Sequence, residues 1–414
     1  MYGLYRLGVG LYGLAIHLAS LWQPKARLWV AGRKNWREQL NNLPNDKFIC
    51  WFHTASLGEF EQGRPLMEAY RKQFPTHYIL LSFFSPSGYE PRKNYQGVDK
   101  IIYLPLDSPT NARDFLQLVH PQQVIFIKYE YWYHYFMEIG KRRLPFFLVS
   151  AVFRKEQPFF RPIFGQFWRK LLQQPTQIFV QDAASALLLA PFHLNKITIN
   201  SDTRFDRVIE ISETKFTDSQ LDHFCSGKTL IAGSSWPADE VLLQQAFEHE
   251  KLNDWKLILV PHDLDEYQIK QLQTKLGSSC LRYTENATIE RLQKARYLLV
   301  DTIGLLSKIY RYGQIAYVGG GFGKGIHNTL EAAAYGLPVI FGPKNHKFLE
   351  AAELIELKAG FSIHDAQSLE KTLQLLAEDR ILRSHIAALL SHYFSQKRGA
   401  TERIMAELRS VLLP

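Results

Sequence analysis

Short apolar runs alternate with helical stretches along most of the chain, and the rhythm starts twice. After residue 45 come FICWFHT (48–54), YILLSFF (78–84), KIIYLPL (100–106), QVIFIK (123–128), PFFLVSA (145–151) and QIFVQD (177–182), mostly separated by ten or more residues of helical periodicity. Strands that are apolar along their whole length, rather than at alternate positions, are covered on both faces. That is the mark of a parallel sheet with helices on either side. Around 202–227 the chain turns polar, and the rhythm then resumes with TLIAGS (229–234), KLILVPH (256–262), YLLVD (297–301), IAYVGG (315–320) and PVIFG (338–342). The 414 residues suffice for two domains. The expectation is an α/β protein of two Rossmann-like domains facing a cleft. Residues 1–24 would form a separate helix, 25–210 and 211–390 the two domains, and 391–414 a last helix crossing back to the first.

The N-terminal segment is unlike the rest. LGVGLYGLAIHLASLW, from Leu7 to Trp22, contains no Lys, Arg, Asp or Glu and one His, His17, and residues 1–37 contain no acid. Gly3, Arg6, Gly10, Gly13, His17 and Ser20 recur every three or four residues and form one narrow stripe on a helix that is otherwise apolar. Such a helix calls for lipid or a protein interior. Lys25, Arg27, Arg33, Lys34 and Arg37 follow, an excess that favours the cytoplasmic side of a membrane and its anionic headgroups. The expectation is a membrane-associated helix, spanning or lying in the surface. A cleaved signal peptide and a buried core helix are the competing readings. The formal charge of +9 also fits an anionic partner. Its lysines and arginines are dispersed and no recognition-helix or zinc-knuckle pattern is present, so nucleic acid is disfavoured. Cys50, Cys225 and Cys280 lie far apart and read as reduced thiols.

Ligands of open parallel sheets bind beyond the carboxyl ends of the strands, so the loops there hold the candidate site. The densest is YVGGGFGKGIHNTLEAAAYGLPVIFG (317–342). Gly320, Gly321 and Gly325 would let a ligand approach the backbone. Lys324 adds charge, and a helix from about His327–Asn328 to Tyr335 would offer its free amides to a phosphate. Glu331, one turn in, suits ribose hydroxyls. The spacing matches neither a GxGxxG dinucleotide fingerprint nor a GxxxxGK[ST] loop. Ser234 and Ser235, His262 and Thr302 follow three other strands of the same half; each has a plain structural alternative, and their convergence carries the argument. The first half offers Ser56, Gly58 and Glu59 after its first strand, Ser85 and Ser87 after the second, Asp107 after the third, and Lys128 and Glu130 after the fourth. Glu59 stands at a helix mouth, where it serves as a dipole-stabilised acid, as a base, or as both. A nucleotide-cradling half and a half with an isolated carboxylate fit group transfer from an activated nucleotide to a hydroxyl. No HExxH, paired CxxC or GxSxG pattern occurs, so neither a catalytic metal nor a serine nucleophile is expected.

HTASLGEFEQGRPLM, YLPLDSPTNARDFL, YEYWY, GSSWPADE and GIHNTLEAAAYGLPVIFGP together resemble the lipid A 3-deoxy-D-manno-oct-2-ulosonic acid (Kdo) transferases, from the N-terminal apolar segment to about residue 360. The resemblance implies a GT-B fold, CMP-Kdo as donor, a lipid A precursor as acceptor, no cofactor, and attachment to the cytoplasmic face of the inner membrane. By position it makes Glu59 the catalytic base. It assigns Gly325, His327, Asn328 and Glu331 to the donor nucleotide, and matches Ser234 and Ser235 to the family's GST-like turn. The chain departs from the family's E-x-E-x-W-P at Lys128, Glu130, Trp132 and Tyr133, and shows Ser150–Arg154 where the family often has an Arg soon after the next strand. Both departures concern the acceptor half. The alternatives are a nucleotide-sugar epimerase of the same fold and a non-catalytic membrane-associated nucleotide-binding protein.

Overall fold

The computed structural model describes residues 1–411 except 129, 164 and 195, and within it the chain divides into two compact units. The first comprises Met1–Asp206 with Gly399–Pro414, the second Arg207–Arg398. The boundary falls inside the helix Arg204–Glu213, so the polar stretch at 202–227 is largely helical.

The first unit holds a seven-stranded parallel sheet in the order β3-β2-β1-β4-β5-β6-β7. Its strands are β1 Ile49–Thr54, β2 Tyr78–Phe83, β3 Lys100–Tyr103, β4 Gln123–Ile127, β5 Phe146–Ala151, β6 Gln177–Val180 and β7 Ile197–Ile199. Side chains of alternate parity feed two cores. Trp51, Val124, Phe126 and Leu148 meet Phe115 and Tyr135 on one face, and Phe52, Ile125, Ile127 and Val149 meet Phe60, Leu66 and Met67 on the other. The second unit repeats the plan as β10-β11-β9-β8-β12-β13-β14. Here β8 is Lys228–Ser235, β9 Trp255–Pro261, β10 Cys280–Arg282, β11 Tyr297–Leu299, β12 Ile315–Val318, β13 Val339–Phe341 and β14 Gly360–Ser362.

The C-terminal break lies at residue 399 rather than 391. The helix Arg380–Lys397 ends, Gly399 takes φ +83, and a new helix Ala400–Ser410 begins. The Asp206 carboxylate accepts the N–H groups of Gly399 and Thr401, each at 2.6 Å. A carboxylate there satisfies free amides at the start of the last helix. Ile404, Met405 and Leu408 of that helix then pack into the core beside Phe60 and Leu66, which belong to the helix Leu57–Gln73 that carries Glu59.

The N-terminal helix Tyr2–Ala19 turns through 120° into a second, Pro24–Gly32. It is no core helix: Leu4, Leu7, Leu11, Leu14 and Leu18 are each more than half exposed. Its packed side runs through Tyr5, Val9, Gly13 and Ile16, while Gly3, Arg6 and Gly10 of the small-residue stripe are exposed. A Cβ at Gly13 would lie 2.7 Å from the Leu106 side chain, so that glycine sets the approach. Tyr5 donates its hydroxyl to Asp107 at 2.5 Å, and Asp107 accepts the His134 and Tyr135 amides at 3.0 and 3.1 Å. Asp107 thereby holds the N-terminal helix rather than a ligand. Arg33 is also structural: it donates to the carbonyls of Leu104, Trp29 and Phe84 at 2.8, 3.1 and 2.6 Å. The segment is thus fastened to the loops after β2 and β3.

Candidate active site

A doubly wound sheet reverses its strand order at one place, and the crevice beyond the strand ends there receives ligands. In the first sheet the reversal lies between β1 and β4; in the second it lies between β8 and β12. Glu59 with Ser56, and Lys128 with Glu130, follow the first pair. Ser234–Ser235 and the glycine loop follow the second. These residues lie at the switch point of each unit, whereas Ser85 and Ser87 follow β2, Asp107 follows β3, His262 follows β9 and Thr302 follows β11.

In the first unit Ser56 is the residue before the helix Leu57–Gln73, yet its hydroxyl caps no amide; it donates to the Glu59 carboxylate instead. Among the described residues that hydroxyl is the only hydrogen-bond partner of Glu59, which is half-buried. Glu59 is thus a first-turn acid but not a cap, and its carboxylate keeps acceptor capacity to spare. Gly58 is exposed, and a Cβ there would meet nothing nearer than the Ser56 hydroxyl at 3.8 Å, so the fold itself does not require glycine. The Ser85–Gly88 turn is pressed onto this loop: Ser85 donates its N–H to the Ala55 carbonyl at 2.7 Å, and a Cβ on Gly88 would lie 2.8 Å from the Ser56 carbonyl carbon. The Ser85 hydroxyl caps its own helix by accepting the Ser87 N–H, and the Ser87 hydroxyl lies 3.0 Å from it.

Lys128 and Glu130 are more committed. Lys128 adopts φ +71 and Ser150 φ +55, non-glycine residues in the left-handed region beside the ends of β4 and β5. Such conformations cost of order 1–3 kcal/mol and cluster at functional sites. Burial drives the Asp202 carboxyl upward, but Arg204 overrides it, with Lys128 adding, and the group lies below its usual range. Glu130 accepts the Trp132 indole N–H at 2.6 Å and faces His53 Nε2 at 3.3 Å, while His53 Nδ1 lies 2.8 Å from the Ser82 hydroxyl. The buried His53 was not singled out in the sequence because it sits inside an unbroken apolar strand.

In the second unit Ser234, His262 and Thr302, from the ends of β8, β9 and β11, line one cavity of about 600 Å3 together with Asp263, Asp265 and Gly304. Ser234 adopts φ +52. Ser235 does not join it: the side chain is buried, its hydroxyl donates to Glu240 at 3.0 Å, and it lines a separate cavity of about 90 Å3.

The glycine loop is organised differently from the expectation. The helix near His327 is a single turn, Leu330–Ala333, rather than a run from His327 to Tyr335. The preceding segment folds on itself, with the N–H groups of Gly323 and Gly325 both reaching the Gly320 carbonyl, at 2.9 and 3.1 Å. Gly336 at φ +75 closes the other end. A single turn supplies no helix-terminal phosphate site. The glycines serve close packing: a Cβ on Gly321 would lie within 2.5–2.8 Å of the Gly342 backbone. Gly320 takes φ +92 and donates its N–H to Asp239 at 2.9 Å. Lys324 is exposed, and Asn328 donates to Glu331 at 3.0 Å.

Two residues to which the sequence reading gave no role of their own organise this site. Asp239 is buried; it accepts the Trp236 N–H at 2.9 Å, the Gly320 N–H at 2.9 Å and the Tyr317 hydroxyl at 2.7 Å. Its signal was an acid three positions beyond the residue preceding a helix. Trp236 donates its indole N–H to His327 Nε2 at 3.1 Å, and His262 stacks over both rings, with centroids 4.6 and 4.3 Å away. Burial, with His262 adding, pulls His327 down to about 4; burial also lowers His262, with Lys324 contributing and Asp263 opposing. A histidine whose folded pKa is depressed favours the native state only while neutral. Stability is therefore expected to fall as pH drops from about 6.5 to about 4. His327→Gln should flatten that part of the slope in urea midpoints measured across the range, and an unchanged slope would contradict the assignment.

Residues 34–207 match the family model described as 3-Deoxy-D-manno-octulosonic-acid transferase (kdotransferase), which covers most of the first unit. The chain is 28% identical over 343 residues to the 3-deoxy-D-manno-octulosonic acid transferase of Aquifex aeolicus, covering 81% of this chain and 88% of that protein. It is 24% identical over 408 residues to the enzyme of the same name from Haemophilus influenzae, covering 96% and 94%. A UDP-GlcNAc 2-epimerase from Neisseria meningitidis, solved with UDP-GlcNAc, superposes with TM-score 0.60 at 14% identity over 88% of this chain and all of that one. At that identity the likeness establishes the GT-B-like fold and not the reaction.

Proposed function

We propose that this chain, a member of the 3-deoxy-D-manno-octulosonic acid (Kdo) transferase family of glycosyltransferases, moves Kdo from CMP-Kdo to a hydroxyl of a lipid A precursor. The observation that carries this reading is Glu59: a carboxylate at the switch point of the family-matched unit, held by one hydroxyl and otherwise unengaged among the described residues. Every other acid named there has structural work; Asp107 binds Tyr5 and Glu130 binds Trp132. In this mechanism Glu59 takes the proton of the acceptor hydroxyl as that oxygen attacks the anomeric carbon, in one inverting displacement. The C–O bond to the CMP phosphate breaks, and the phosphate departs with the electron pair. Ser234, His262, Thr302 and His327 hold the nucleotide, with Lys324 supplying positive charge. A phosphate leaving group needs no protonation, so one carboxylate suffices.

Nucleotide choice tests the donor directly. Calorimetry on the full chain should give CMP binding and far weaker UDP binding; the reverse order would favour an epimerase.

The N-terminal segment is read as the membrane attachment, on the cytoplasmic face of the inner membrane. No single described helix is long and apolar enough to cross a bilayer; the bent pair Tyr2–Ala19 and Pro24–Gly32 passes that test only together. Exposed Leu4, Leu7, Leu11, Leu14 and Leu18 would enter the acyl boundary, and exposed Lys25, Arg27 and Lys34 would meet anionic headgroups. Deleting residues 1–22 is expected to release the protein from phosphatidylglycerol-containing vesicles in co-sedimentation. Undiminished pelleting of the shortened chain would refute the attachment.

A further inference from the structure

We propose that Trp236 is a positioning residue of the second unit's site. Its indole N–H holds His327 as the tautomer protonated on Nδ1, so that His327 meets an oxygen of the donor nucleotide as a neutral hydrogen-bond donor. The ligand half of this inference rests on the nucleotide-binding reading above.

The chemistry follows from what each group can do. An indole N–H donates and never accepts. Trp236 Nε1 lies 3.1 Å from His327 Nε2, so that ring nitrogen is the acceptor and carries no proton. In a neutral imidazole the proton then sits on Nδ1. The two rings lie side by side, 12° from parallel with centroids 6.4 Å apart, which suits an in-plane hydrogen bond rather than a stack. His262 covers both, inclined 23° to Trp236 and 27° to His327.

The backbone holds every member of this group in place. The N–H of His262 donates to the Ser235 carbonyl at 2.9 Å, and that of His327 to the Gly319 carbonyl at 3.2 Å. The N–H of Trp236 is taken by Asp239, whose other contact on the same oxygen is Gly320. Gly320 also makes room, since a Cβ there would stand 3.0 Å from His327 Cδ2. Protonating His327 on Nε2 would set two N–H groups against each other beneath a stacked imidazole. The Nδ1 atom has no hydrogen-bond partner among the described residues, which leaves its proton for a ligand.

The test uses the full chain labelled with 15N-histidine. Two-bond 1H–15N spectra at pH 7.5, with His327 assigned by loss of its signal in His327→Gln, should show the Nδ1–H tautomer. Trp236→Phe keeps a ring under His262 but removes the donor. It is expected to give mixed tautomers at His327 and to weaken CMP binding about tenfold, the scale of one impaired hydrogen bond to a charged ligand. An Nε2–H tautomer in the wild type overturns the proposal whatever the variant does, including failing to fold. So does a Trp236→Phe protein that keeps the single tautomer, or one that loses it while CMP affinity stays unchanged. If the wild type shows the Nδ1–H tautomer but does not bind CMP, the nucleotide reading falls while the assigned tautomer stands.

Discussion

Glu59→Gln is expected to lower Kdo transfer by about 10^3-fold, within the 10^2–10^4 range that a positioned general base contributes. The amide keeps the size of the side chain and can still accept the Ser56 hydroxyl, so the loop after β1 should hold its shape. CMP affinity and the urea unfolding midpoint should be unchanged, because Glu59 caps no amide and carries no other described contact. The split between lost turnover and retained binding separates a base from a structural acid. A variant with lost CMP binding or a lowered midpoint would put Glu59 among the structural residues.

Asp239→Ala should be the most damaging change in the second unit. It leaves the N–H groups of Trp236 and Gly320 and the Tyr317 hydroxyl without their acceptor inside the fold. Each such buried orphan costs about 1–3 kcal/mol, so a loss of roughly 3 kcal/mol or more is expected. CMP affinity should fall with it, because the same carboxylate ties the glycine loop to the start of the helix Pro237–Phe247. Urea unfolding with an unchanged slope and a lowered midpoint would record the first effect. A midpoint shift under 1 kcal/mol would mean that these groups find other partners.

The interior of both sheets was legible because parallel strands covered on two faces are continuous apolar runs, as FICWF and KLILV are. Three strands escaped: Ile197–Ile199, Cys280–Arg282 and Gly360–Ser362, each of three residues and each at a sheet edge. Edge strands that short carry no periodicity to read. The candidate site was legible as positions, since the loops after strands are fixed by topology, but less so as roles. Ser235 was expected to face a phosphate and instead bonds Glu240; the glycine loop was expected to open a long helix and instead packs against Gly342. Asp239 and Trp236 show no role of their own in the sequence because their importance lies in partners some 80–90 positions away, Gly320 and His327. Likewise Arg33 reads as one more cation beside a membrane helix until its three carbonyl partners are seen.

The most direct test of the account is the initial rate of Kdo transfer from CMP-Kdo to a lipid A precursor in mixed micelles, followed by the mass of the acceptor. The account predicts that the wild-type chain adds the mass of Kdo to the acceptor with release of CMP, and that Glu59→Gln does so about 10^3-fold more slowly. A wild-type chain that binds CMP yet leaves the acceptor mass unchanged, or a Glu59→Gln chain that matches it in rate, would contradict it.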